Sequence, residues 1–160
     1  MIYEEGNHRI LTKDRKAIVE VADESFCRTA PDTVVVPEFE GWERVPGTLT
    51  ALKLKAVEPH VDPWVGDSPE PDGDDRRAVF MVVKGPKQGY VHLQAGLDAT
   101  RMSEGDFVLF DDRVMHSVVA THTWVGIAWQ LRRKSFADQW RKENPSKAAV
   151  YEDDVELETI

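Results

Sequence analysis

Punctuation constrains the fold of this chain more than any other feature. Short runs rich in Val, Ile, Phe and Trp occupy residues 16–21, 33–37, 48–57, 78–84, 90–95, 106–110, 116–121 and 124–131, with Gly, Pro and Asp between them. Such side chains suit a pleated, half-buried surface. Turns spaced by about 8–12 residues predict a sandwich or barrel, not βαβ units. No segment repeats another. One stretch breaks the pattern: KSFADQWRKEN reads as a helix, with Ser135 as N-cap, Asp138 three residues on, Phe136 and Trp140 on one face, and Pro145 ending the run. The expectation is an all-β-dominated domain over 1–160, with its core over about 48–133, a peripheral helix at 135–143 and an acidic tail.

The 160 residues suit one domain, long enough to remove about 68–70% of the extended chain's surface from water. Hydrophobic content of 41% and charged content of 31% describe an ordinary globular chain. No run reaches the ~18 consecutive apolar residues of a membrane span. The opening MIYEEGNHRI lacks the basic-then-apolar order of a signal peptide. A single cysteine, Cys27, rules out an intrachain disulfide and suits a reducing compartment, so the protein reads as cytoplasmic. The formal charge of −9 argues against general nucleic-acid binding, which needs clustered Lys and Arg. The acid gathers in GDSPEPDGDD (66–75) and YEDDVELETI (151–160), and both read as solvated segments. Exposed β edges leave room for a homodimer.

Chemistry concentrates in His60, Asp62 and, 54 positions after the aspartate, His116. In TALKLKAVEPHVDPW, Leu52, Leu54 and Ala56 share the parity opposite to Lys53 and Lys55, and His60 and Asp62 continue the apolar parity. A carboxylate delivered among apolar side chains is costly unless paired or coordinated. The third ligand should arrive on a neighbouring strand, and SEGDFVLFDDRVMHSVV supplies it: His116 shares parity with Val114, Val118 and Ala120. Two histidines and one carboxylate form a facial set that suits iron(II), with manganese, cobalt, nickel and zinc also compatible by ligand type.

At PHVDPW and GDFVLFDDRVMHSVV the chain resembles the 2-oxoglutarate- and Fe(II)-dependent oxygenases, whose core is a double-stranded β-helix, or jelly roll. The resemblance covers about 48–133. It implies that His60, Asp62 and His116 ligate iron and form the catalytic centre of a dioxygenase. It also implies a 2-oxoglutarate co-substrate that is decarboxylated to succinate while a C–H-bearing substrate of unknown identity is hydroxylated or demethylated. A basic residue is further implied for the far carboxylate of the oxoacid. VATHTWVGIAWQL carries none before Arg132, which becomes the first choice, followed by Arg77, with Lys84 behind them. A wider resemblance links the glycine-to-histidine block to the second motif of the cupins, with Asp111 and Arg113 standing where that motif commonly has Pro and Gly. Cupins carry His-x-His and a following Glu in their first motif, where this chain has His-x-Asp. That likeness implies a metal enzyme working without 2-oxoglutarate; a jelly-roll binding module without catalysis is the remaining alternative.

Several other residues stand out. His92, Tyr90 and Gln94 share a parity that either lines a cavity or faces solvent, and His122 falls in a turn. Trp64 is placed to overhang the metal, and the loop 65–75, with Pro69, Pro71 and Gly73, reads as a flexible lid. No phosphate-binding Gly-rich loop, nucleophile elbow or Cys-x-x-Cys pair is present.

Overall fold

The computed structural model describes residues 1–8, 27–29, 36–85 and 88–146. Its strands are β1 (Ile2–Asn7), β2 (Cys27–Thr29), β3 (Trp42–Arg44), β4 (Thr50–His60), β5 (Arg76–Lys84), β6 (Val91–Ala95), β7 (Asp98–Met102), β8 (Asp106–Phe110) and β9 (His116–Arg133). A 3₁₀ turn (Gly73–Asp75) precedes β5, and the helix α1 (Lys134–Glu143) follows β9. The strand expected at 16–21 and most of that expected at 33–37 lie outside the described residues, as does the acidic tail. Residues Val36 and Pro37 are not in a strand.

The pairing is nested. The first half of β4 pairs with the second half of β9 (Thr50 opposite Ala128, Leu54 opposite Trp124), and the second half of β4 pairs with the first half of β9 (Ala56 opposite Val119, His60 opposite His116). Inside that pair, β5 runs antiparallel to β8 and β6 to β7. Eight strand segments folded in this nested antiparallel way make a jelly roll. One sheet runs β4–β9–β5–β8, with β1 on its edge beside β8; the other runs β4–β9–β6–β7. β9 belongs to both. Two strands were expected at 116–121 and 124–131, and the structure joins them into one of 18 residues. Thr121, His122 and Thr123 are exposed where it crosses between sheets, so their polarity marks a bend and not a chain break.

Side-chain alternation divides the core in two. Ala78, Phe80 and Val82 point into the roll with Val91, Leu93, Val108, Phe110, Val118 and Trp124. Val79, Met81 and Val83 point the other way, with Val125, Ile127, Trp129 and Leu131. That outer face is covered by Val36, Phe39, Trp42 and Leu49 from the segment before β4. β5 and the second half of β9 are therefore buried on both faces, which accounts for their nearly unbroken apolar sequence.

Four strands escape a reading by β-type composition, among them the three-residue β2. β1 (IYEEGN) and β7 (DATRM) are edge strands whose side chains are mostly exposed, so nothing requires apolar alternation of them. β7 is set by its turn: Gly96 (φ 62) is the first residue of a two-residue loop between Ala95 and Asp98, where a type II′ hairpin requires glycine. β3 spans only three residues.

The helix also differs from expectation at its start. Arg133 occupies the N-cap position without a side-chain cap, so Ser135 lies inside the first turn and no capping box forms with Asp138. The Lys134 amide instead donates to the Gly41 carbonyl at 2.9 Å. Trp140 is buried, with the Arg132 guanidinium 5.2 Å from its ring centre.

Gly126 sits where β9 passes closest to its neighbours. A Cβ there would lie 2.7 Å from the Trp124 ring and 3.1 Å from both the Met81 carbonyl and the Phe80 ring, and Phe80 and Trp124 are locked edge to face. Gly126→Ala is expected to lower unfolding stability by about 1–3 kcal/mol through overpacking. Urea unfolding checks this, and an unchanged midpoint would show that the interior of the roll is loosely packed.

Candidate metal centre

β4 and β9 bring the three sequence-predicted donors to one end of the roll. His60 ends β4 and lies directly across from His116, the first residue of β9. The register jumps between Val57 and His60, where three residues on β4 oppose two on β9. Pro59 lies in this bulge, as suits a residue with no amide to donate. Asp62 follows two residues later; its amide donates to the Asp112 carbonyl at 2.9 Å. Ligand atoms of His60, Asp62 and His116 all lie within 4.8 Å of one another. His60 Nε2 is 3.2 Å from Asp62 Oδ1, and His116 Nε2 is 3.1 Å from Asp62 Oδ2.

Both imidazoles are oriented by the backbone. His60 Nδ1 donates to the Glu58 carbonyl at 2.7 Å, and His116 Nδ1 to the Val114 carbonyl at 2.9 Å. A carbonyl only accepts, so each Nδ1 carries the proton and each neutral ring is left with a lone pair on Nε2. Two lone pairs then face one carboxylate. That arrangement is repulsive unless a cation lies between them, either a proton on an imidazole or a metal ion. The donor set therefore fits a divalent metal, and the carbonyls behind the rings are the outer partners such ligands use.

The titration behaviour agrees. Burial pushes the Asp62 carboxyl up, but the His116 hydrogen bond and the nearby His116, His60 and Arg76 charges outweigh it, leaving the pKa below the ordinary carboxylate value. Burial pushes His116 down, yet its bonds to Asp62 and Val114 and the Asp62 and Asp112 charges leave it raised above 6.5. A proton therefore competes with a cation for His116 Nε2 over a wider pH range than for an ordinary imidazole.

A second layer holds Asp62 in place. The Arg76 guanidinium donates from Nη2 to the Asp62 carbonyl at 2.9 Å, from Nε to Asp112 Oδ1 at 2.9 Å and from Nη1 to Glu70 at 2.9 Å. Gln130 donates from Nε2 to Asp112 Oδ2 and to the Pro63 carbonyl, both at 3.0 Å. Arg76 and Asp112 form an ion pair about 1% exposed on each side. The sequence reading passed over both residues. The usable signal was the parity of Arg76, a charge in register with buried Ala78, Phe80 and Val82. Nothing comparable marked Asp112, which lies in the bend between β8 and β9.

Arg132 and Arg77 are not brought to the cluster. Arg132 is fully buried, with Nε 2.7 Å from Glu43 and Nη1 2.5 Å from Asp67. Arg77 lies on the opposite parity, its guanidinium 3.6 Å from the centre of the Tyr3 ring and bonded to the Gly73 carbonyl. Lys84 is exposed at the end of β5. The acidic loop keeps Asp67, Glu70, Asp72 and Asp74 exposed, as expected of a solvated segment, but it is tied down where a free lid was expected: Asp67 pairs with Arg132, Glu70 with Arg76, and Asp75 with Arg133. Trp64 folds onto this loop, its indole donating to the Ser68 carbonyl at 2.8 Å, with the Arg76 guanidinium 5.5 Å from the ring centre. His92 stands on the outward parity of β6, with its ring 6.3 Å from that of Tyr90, and His122 is exposed.

A cavity of about 210 Å³ adjoins the cluster through Asp62, with Thr48, Thr50, Phe110 and Gln130 among the described residues on its wall. A larger one, about 670 Å³, lies elsewhere, between Trp42, Pro46 and the start of α1, and contains none of the three donors. Chemistry directs attention to the smaller.

No protein-family model matches the chain, and no curated protein matches its sequence. Among solved structures, it is similar to a cupin-2 domain containing protein from Shewanella frigidimarina NCIMB 400, at 12% identity over 74% of this chain and 90% of that one, with a TM-score of 0.42. It is also similar to a cupin 2 domain-containing protein from Halorhodospira halophila, at 12% identity over 69% and 78% of the two chains, with a TM-score of 0.35.

Two outcomes are expected. Metal affinity, read by titration with cobalt(II), should rise as pH is raised from about 6 to 8, because the raised His116 pKa makes proton and metal compete; a flat profile would separate His116 from the metal. Asp112→Asn should leave the buried Arg76 charge with only the half-exposed Glu70 as counter-ion and lower stability by about 3 kcal/mol, measured by chemical denaturation.

Proposed function

We propose that this chain is a metal-dependent enzyme that holds one divalent cation, iron(II) foremost, on His60, Asp62 and His116 and works without an oxoacid co-substrate. The convergence of two Nε2 lone pairs on a single carboxylate carries this reading. Bound there, iron(II) supplies open coordination positions for dioxygen and substrate chemistry. The chain's own part is positional. Glu58 and Val114 fix the ring tautomers, and Arg76 and Asp112 hold the Asp62 backbone. Phe110, whose ring centre lies 5.0 Å from that of His116, screens one side of the cluster from water.

The reading without 2-oxoglutarate is favoured by the arginines: the guanidinium that would clamp the oxoacid's far carboxylate is already bonded to Glu43 and Asp67. A second reading, the 2-oxoglutarate-dependent oxygenase, is favoured by the donor set itself, since aspartate stands where cupins carry their second histidine.

Anaerobic titration separates the two. Iron(II) should bind stoichiometrically, Asp62→Ala should abolish that binding, and subsequent 2-oxoglutarate should produce no visible charge-transfer band. A band, with succinate formed in air, would establish the second reading. Wild-type protein that takes up no divalent metal would leave a binding module.

A further inference from the structure

The 210 Å³ cavity beside Asp62 has an uneven hydrogen-bonding surface. The donors of Thr48, Thr50 and Gln130 are all in use, while Trp129 Nε1 is buried without a partner on a side chain that packs in the outer core. Thr48 donates its hydroxyl proton to the Val45 carbonyl at 2.7 Å, and Thr50 donates to the Ala128 carbonyl at 3.2 Å. Gln130 Nε2 has two protons, one directed to Asp112 and one to the Pro63 carbonyl. Both partners only accept, so the amide orientation is fixed. Val79 and Trp129, which also border the cavity, belong with their side chains to the outer core.

What remains on the wall is acceptor capacity. Thr50 Oγ1 keeps its lone pairs, Gln130 Oε1 takes only the Val65 amide at 3.3 Å, and Asp62 is a carboxylate. Among the described residues no Lys or Arg lines the cavity. Arg76, the nearest buried cation in the network, is occupied by Asp112, Glu70 and the Asp62 carbonyl. Asp112, bonded to Arg76 and Gln130, also borders the cavity, and the rest of the wall is apolar: Pro63, Val65, Ala78, Phe110 and Ala128. Exposed Pro63 and Val65 put its mouth at the surface. The volume is below the roughly 300–1,000 Å³ of pockets that take drug-sized ligands.

In the metal-free chain a carboxylate or phosphate entering this space would meet acceptors and bring a charge that no side chain lining it neutralises. An alcohol or amine would find partners for its protons and an apolar wall for its carbon body. We propose that this cavity is the substrate pocket and that it selects a small, largely apolar molecule that donates a hydrogen bond and carries no negative charge, such as an alcohol or an amine. The word substrate rests on the metal-enzyme reading above; the selectivity of the cavity does not.

Three probes with one carbon body test it: isobutanol, isobutylammonium and isobutyrate, titrated into the EDTA-treated, metal-free chain and followed by amide chemical shifts. Isobutanol and isobutylammonium should shift the Thr50, Ala128 and Gln130 signals saturably, each binding about tenfold or more tightly than isobutyrate. Thr50→Val, which keeps the shape and removes the acceptor, should weaken isobutanol by about threefold to tenfold, with the thermal midpoint measured alongside to show an intact fold. Isobutyrate binding as well as the others, isobutanol indifferent to Thr50→Val in folded protein, or no saturable shift from any probe would overturn the proposal. Cobalt(II) titration of the same preparation keeps the two ideas apart. Failure to bind cobalt with the probe order intact removes the enzyme reading alone, and cobalt binding with isobutyrate preferred removes the cavity assignment alone.

Discussion

The ladder between β4 and β9 is the constraint on which both architecture and site depend. Those strands pair along almost their whole length, cross together from one sheet to the other, and end with His60 facing His116. The contact that closes the roll is the contact that juxtaposes the two imidazoles. A slip of one residue between the strands would turn one histidine to the face opposite the other. The bulge at Glu58–Pro59 absorbs the odd residue and restores the register at His60. It also leaves the Glu58 carbonyl pointing at the His60 ring. Because the donors meet only when this ladder forms, any metal held by all three would be thermodynamically linked to folding.

The charge distribution follows a similar economy. A chain of net charge −9 places two arginines, Arg76 and Arg132, opposite each other on β5 and β9 and buries both. Each neutralises acid from the loop that follows Asp62, and Arg76 also pairs with buried Asp112. Burying a guanidinium is tolerable only with such partners. The two arginines thereby fasten the loop, and Arg76 fixes the backbone of Asp62. The cluster itself is left with a surplus of lone pairs and a need for a cation.

How much of this was legible in the sequence depended on how strongly packing constrained each residue. Strands buried on two faces, such as β5 and β8, were found close to their observed limits, because only a narrow set of side chains fits there. Edge strands β1 and β7 were invisible, since solvent accepts Glu, Asp and Thr as readily as Val. Ser135 misled because a capping pattern is local, while the helix start is fixed by the Lys134 amide meeting a carbonyl from residue 41, far away in the chain. At the cluster, parity carried His60, Asp62 and His116 because ligands on strands must alternate with the core. Asp112 and the loop's ion pairs were illegible: they depend on which arginine the fold brings within reach, and an acidic segment looks the same solvated or latched.

The fate of Arg132 bears on function more than any resemblance does. Its parity with Trp124, Ala128 and Gln130 does take it inside, as a clamp would require. There it meets Glu43 and Asp67, and Glu43 in turn bonds Arg141 of the helix, so the guanidinium joins the loop, β3 and α1. One Nη2 remains without a partner, but it belongs to a cation already facing two carboxylates. Adding the far end of a dicarboxylic acid would bring a third negative group to a guanidinium that already faces two. Either Asp67 would have to leave, opening the loop, or the oxoacid would bind weakly. A guanidinium committed to holding the fold together is a poor candidate for reversible recognition, and the cavity at Asp62, with its spent donors and apolar wall, is built for a different kind of molecule.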